Sequence, residues 1–255
     1  MGNLAYLTNS DNKLVGSTIT PSSAASAYPI ANLTGLPISK PFRFTGDTSE
    51  NLQIDLGSAL PIDLIALVNH NLTSAATITV NAGASANPDG STYTTTVTWR
   101  ARDAFKLLSS PQTYRYWKII IADSANTDTF IELGFAMLGD STTLGFNYRY
   151  GGTFIDEQNN LEVETEFGSP HVVELHDRVR LSLPFNNIQA SEAVTLRTLY
   201  RTLKRNLVPL FLIPDAAVND GYFGRWVSQY ERQDDFYRSV TVEFLQDGKG
   251  DRIAA

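Results

Sequence analysis

The strongest constraint on this chain is the texture of its first 140 residues: short runs alternating apolar and polar, cut by Gly, Pro, Asn and Ser. Leu52, Ile54 and Leu56 alternate with Asn51, Gln53 and Asp55, a period of two that buries one face of a strand. Ile78 and Val80 repeat the pattern, as do Tyr93, Val97 and Trp99 among threonines, while residues 114–121 are aromatic and β-branched like a buried strand. Turn clusters at 29–37, 57–61, 87–90 and 109–111 separate these runs, and no helical period lies between them. Short strands at regular spacing imply a β-sandwich or jelly roll. Trp99, Trp117 and Trp226 each sit in a strand pattern and are expected in cores.

Near Gly139-Asp140-Ser141-Thr142-Thr143 the texture changes, which places a domain boundary there and divides the chain into 1–139 and 140–255. Beyond it, residues 171–185 alternate at length, one strand or two with a bulge near Asp177, and Pro184 should end the pairing or lie on an edge. One helix follows. Ser191 is its expected N-cap, Glu192 sits where the macrodipole favours an acid, and Pro209 is its expected stop. Leu196, Leu199, Leu203 and Leu207 make an apolar face, while Arg197, Arg201 and Arg205, with Lys204 beside them, make a cationic ridge. Two further strands, around 224–230 and 239–245, complete a sheet with one packed helix, so the whole is mainly β.

Composition narrows the function classes. At 255 residues and 42% hydrophobic, there is material for two cores, and 18% charged is too little for a disordered chain. A net charge of −7 counts against a duplex-binding surface, so no nucleic-acid partner is expected. The absence of cysteine removes disulfides, thiolate metal sites and a thiol nucleophile. The opening residues lack the basic and apolar regions of a secretory signal, and the apolar run 62–68 is far shorter than the ~20 residues of a membrane helix.

Tests for chemistry are mostly negative. His171 and His176 are five apart, and strand geometry sends such rings to opposite faces, so no metal site is expected. No nucleophile elbow or phosphate loop occurs, and neither an enzyme nor a cofactor is expected. His70, in Asn69-His70-Asn71 at a strand end, either binds a ligand or satisfies its own turn.

Three blocks in order resemble the discoidin (F5/8 type C) family: Tyr28-Pro29-Ile30-Ala31-Asn32-Leu33-Thr34, then Asn51-Leu52-Gln53-Ile54-Asp55-Leu56-Gly57, then residues 114–121 with Ile131-Glu132-Leu133 as the close. The family's usual opening and the bracketing cysteines of many secreted members are missing. The variant carrying residues 67–73 resembles the discoidin-like domains of bacteriophage tail proteins, and residues 180–215 resemble tail-tube and distal-tail components. The resemblance implies a jelly roll at 1–139 and an oligomerisation domain at 140–255. It further implies a structural protein of a phage tail tip or baseplate, assembled in the bacterial cytoplasm. Its expected partners are copies of itself in a ring, a trimer or hexamer, and the tail tube, tape measure and hub. Read from the residues alone, the Arg197, Arg201, Lys204 and Arg205 ridge is either a solvated helix face or faces an acidic surface of a neighbouring subunit. The alternative is a glycan-binding adhesin contacting a host surface sugar through Tyr28, Phe42, Arg43, Asp47 and His70, with Phe42 and Phe44 capping the barrel end as the competing reading.

Overall fold

The computed structural model describes residues 3–148, 151–164, 170–217, 220–231, 233–234 and 238–247; for 158–164, 170–177, 233–234 and 238 the backbone alone is described. The chain forms two compact units, Met1–Thr143 with Phe211–Tyr222, and Leu144–Leu210 with Phe223–Ala255. The first break thus falls at 143/144, and residues 211–222 return to the first unit, a crossing that no linker composition announces. The expected fold class is the one found: mainly β, a sandwich followed by a sheet with one helix.

In the first unit the chain runs through β1 (Ala5–Thr8), β2 (Thr18–Pro21), β3 (Phe42–Arg43), β4 (Glu50–His70), β5 (Thr77–Gly83), β6 (Tyr93–Val97), β7 (Asp103–Ala122), β8 (Glu132–Gly139) and β9 (Thr142–Thr143). Seven of these form one antiparallel sheet in the order β3-β8-β4-β7-β5-β6, with β2 added on β4. The sheet closes over its own core because its two longest strands break register together. The shifts in β4 against β7 fall between Asp55 and Leu60 and between Ile62 and Leu64. Gly57 supplies a left-handed residue there (φ 78), and its N–H donates to Asp55 Oδ1 at 2.8 Å. Before the bend, Leu52 and Ile54 face Ile119 and Trp117; after it, Ile65 and Leu67 join Leu133, Ala136 and Leu138 of β8. Both layers share one buried cluster around Trp117. Arg115 clasps Asp55 at the bend through two bonds of 2.7 and 2.8 Å, which holds the Asp55 carboxyl down at about 2. Trp99 lies just beyond β6, partly buried, and its Nε1 donates to the Leu72 carbonyl at 2.9 Å.

The second unit contains β10 (Thr153–Glu164), β11 (Pro170–Ile188), α1 (Ala190–Thr202), most of β13 (Asp220–Trp226), β14 (Gln233–Asp234) and β15 (Arg238–Gln246), with β12 (Leu210–Asp215) running mainly in the first unit. Its sheet runs β10-β11-β15-β13. The register of β10 on β11 skips Leu175, a bulge two residues from Asp177. Pro184 lies beyond Ser182, where β10 pairing has ended, so it occupies a local edge. His171 and His176 fall where side chains are outside the described residues.

Three details of the helix differ from the sequence reading. The N-cap is Gln189, not Ser191, in a capping box in which the Gln189 N–H donates to Glu192 at 2.6 Å. The helix ends at Thr202, seven residues before Pro209, because Lys204 (φ 47) and Arg205 (φ 71) turn left-handed. Leu196, Leu199 and Leu203 are buried, but Leu207, past that turn, is 63% exposed.

Candidate functional site

One rim of the first unit gathers charged, amide and aromatic groups from four separate stretches of chain. Alternation along β3, paired to β8 through Phe42↔Leu133 and Arg43↔Glu132, turns successive side chains to opposite faces. Phe42 goes inward, fully buried and edge-on to Phe44 at 4.7 Å, so its ring is unavailable to a ligand and leaves the expected binding set. Arg43 goes outward. Its guanidinium carbon lies 3.9 Å from the ring centroids of both Tyr28 and Phe130, and its Nη2 donates to Glu132 Oε2 at 2.9 Å. Arg43 Nε is buried and has no hydrogen-bond partner among the described residues. Tyr28 and Phe130 each keep part of their surface exposed.

Asn71 holds this rim in place. Its Oδ1 accepts the Glu132 N–H at 2.8 Å, and its Nδ2 donates to Asp128 Oδ2 and the Phe130 carbonyl, both at 3.0 Å. Asn126 adds bonds to the carbonyls of Asn71 and Phe130 at 3.1 and 3.3 Å, and Thr129 is left-handed (φ 59) immediately before Phe130. Asp123, buried, accepts from the Thr73 N–H at 2.7 Å and the Thr73 hydroxyl at 2.5 Å. Asp47 contributes through its backbone carbonyl, which accepts the Asp123 N–H at 2.8 Å. Asn71, Phe130 and Glu132 were not among the residues expected at the site.

His70 is placed inside the loop base and not on the rim. Its Nδ1 accepts the Leu72 N–H at 3.2 Å, which closes the turn, and its Nε2 is buried. Burial therefore lowers the imidazole to about 4 from 6.5. Between those pH values the unfolded chain holds a proton that the folded ring refuses, so the stabilisation is fully present above pH 6.5 and fades as pH falls towards 4. We expect the first unit to lose about 2 kcal/mol between pH 7.5 and 4.5, read from urea midpoints, with His70→Gln removing that slope.

The cationic ridge of the second unit lies on a cleft of ≈ 500 Å³ lined by Arg197, Tyr200, Arg201, Lys204, Arg205 and Tyr230. Arg205 reaches it from the left-handed turn and not from the helix, as the ridge reading had it. Among the described residues there is no group of three or more His, Cys, Asp or Glu side chains that could hold a metal ion, and no helix is long and apolar enough to cross a membrane.

No family model matches this chain, and no curated protein matches it. Solved structures do. A chitosan-binding module from a chitosanase/glucanase of Paenibacillus sp. IK-5 is 18% identical, with 51% of this chain and 98% of that one covered, at a TM-score of 0.42. The family 32 carbohydrate-binding module of Clostridium perfringens NanJ, in complex with galactose, is 13% identical over 53% of this chain and 99% of that one, at 0.41. A fucose-binding module from Streptococcus pneumoniae is 11% identical over 50% and 94%, at 0.40.

Proposed function

We propose that the chain is a non-catalytic binding protein whose first unit takes a glycan at the Tyr28, Arg43, Phe130 and Glu132 rim. The observation that supports this is the pairing of two part-exposed aromatic rings with a fixed guanidinium–carboxylate pair. Sugar rings lay their C–H faces on aromatics, and their hydroxyls need donors and acceptors held at fixed places, which Asn71 and Asn126 secure here. A glycan array probed with the whole chain should retain at least one sugar class. Tyr28→Ala and Phe130→Ala should each weaken that binding about tenfold, the size of one lost aromatic contact. An array that retains nothing sinks the reading.

A second reading has its own observation. β10 is the outer strand of its sheet, and Phe154 and Ile155 on it are 49% and 48% exposed. Among the described residues, β11 pairs along 170–179 with β10 alone. An open edge carrying large apolar side chains is a template for another strand. This suits a ring-forming component of a bacteriophage tail tip, with the jelly roll displayed on it. The native mass of the same preparation decides: a closed trimer or hexamer supports the ring, and a monomer at tens of micromolar leaves the glycan module standing alone.

A further inference from the structure

The cleft on the second unit is overcharged. Among the described residues, Arg197, Arg201, Lys204 and Arg205 line ≈ 500 Å³ with no acidic side chain beside them, and none of the four has an ion-pair partner. The nearest acid in sequence, Glu231 after Tyr230, lines a different cleft with Glu243. The C-terminal end of α1 accounts for only part of this positive charge, since a helix dipole presents about half a unit there.

The cluster is also built. Lys204 and Arg205 are consecutive non-glycine residues in left-handed conformation, a geometry that persists only where the surroundings impose it. The turn is held by the Lys204 and Arg205 N–H groups donating to the Arg201 (2.9 Å) and Tyr200 (3.1 Å) carbonyls, and Arg225 fastens the next two residues: its Nη1 donates to the carbonyls of Asn206 (3.4 Å) and Leu207 (2.8 Å), and its Nε is anchored on Asp247 at 2.6 Å. Tyr200, packed on Trp226 at 5.4 Å and Tyr230 at 5.9 Å, forms the floor, and the Tyr230 hydroxyl donates to the Ala193 carbonyl at 2.7 Å.

We propose that this cleft receives a compact polyanion carrying phosphate groups. Four cations in that volume call for three or four negative charges on a small ligand. A terminal phosphate carries about −1.5 to −2 at neutral pH, so two or three linked groups suffice. An acidic peptide would need three or four residues at ~3.3–3.6 Å each, and a phosphodiester polymer carries one charge per unit, so both spread the charge beyond the cleft. Three of the four cations are arginines, whose forked donors match phosphate oxygens in pairs. The inference is independent of the sugar rim, which lies in the other unit.

The test is calorimetric titration of the whole chain with inorganic tripolyphosphate at ~150 mM salt, where exposed charges are screened beyond about 8 Å. Saturable one-to-one binding is expected, weakened at least tenfold in Arg197→Gln/Arg201→Gln, with Lys40→Gln in the first unit as the unchanged control. Circular dichroism verifies that the double variant keeps its helix. Absence of saturable binding, or binding equal in the double variant, overturns the proposal. So does tighter binding of a glutamate peptide or of a glycerol-phosphate oligomer of equal total charge, which would reassign the cleft to an acidic protein surface or an extended polymer.

Discussion

Trp117→Ala should lower the stability of the first unit by about 4 kcal/mol. Trp117 is fully buried in the cluster shared by both layers of the sandwich. On β7 it is paired with Ile54 of β4 on one side and Ala82 of β5 on the other, so the cavity opens beneath three strands at once. Tyr93 and Tyr114 meet its ring edge-on at 6.2 and 6.4 Å, and both would lose that contact while keeping their stack on each other. Its Nε1 donates to the Tyr114 carbonyl at 3.2 Å, a bond that alanine cannot replace. Backbone pairing on both flanks prevents the site from collapsing, which puts the cost toward the upper part of the ~3–5 kcal/mol range for such truncations. In scanning calorimetry the transition of the first unit should fall by about 10 °C. A drop of only a degree or two would show that the two layers do not share one core.

The fold was legible because its signals are local. The alternation of Leu52 and Ile54 with Asn51 and Gln53, and the aromatic run containing Trp117, depend on the pleat of a single strand. Applied one step further, the same rule separates Phe42 from Arg43: Phe42 and Phe44 share a parity and are both buried. The errors arise where the decisive partner is remote or the backbone departs from type. The helix stops at a left-handed Lys204-Arg205 pair where no glycine announces it, and its start uses Gln189 where serine was the stronger local candidate. The return of residues 211–222 to the first unit is a long-range event with no composition signature.

The rim shows the same divide. Arg43 and Tyr28 lie close enough in sequence to be grouped in one loop, but Glu132 and Phe130 reach them from some 90 to 100 residues away. The segment Asn69-His70-Asn71 did stand out. In sequence the histidine is the more versatile ligand, whereas burial commits it to its own turn and leaves Asn71 to organise the site. An amide that can donate and accept at once is the better bridge between loops when both partners are backbone groups.

Asn71→Ala is therefore expected to cost about 3 kcal/mol and to abolish ligand retention by the rim. The substitution removes three bonds, to the Glu132 N–H at 2.8 Å and to Asp128 and the Phe130 carbonyl at 3.0 Å. Each contributes about 1 kcal/mol net, and the stranded Glu132 N–H adds a desolvation cost, while the Phe130 carbonyl keeps its bond from Asn126. Phe130 and Glu132 are also the two groups that hold the Arg43 guanidinium from the far loop, so the rim loses its shape with its stability. Asn71→Asp separates geometry from charge. It keeps an acceptor for the Glu132 N–H but sets a carboxylate where an amide donated to Asp128, and two like charges at that distance repel strongly. The first-unit transition should fall by about 8 °C in both variants at pH 7.5. Measured against the wild type at the same pH, which cancels the His70 contribution, acidification to about pH 5 should narrow the deficit in Asn71→Asp alone, because the introduced carboxyl can then hold a proton. Equal behaviour of the two variants across pH would place Asn71 outside the network and leave the rim without its organising residue.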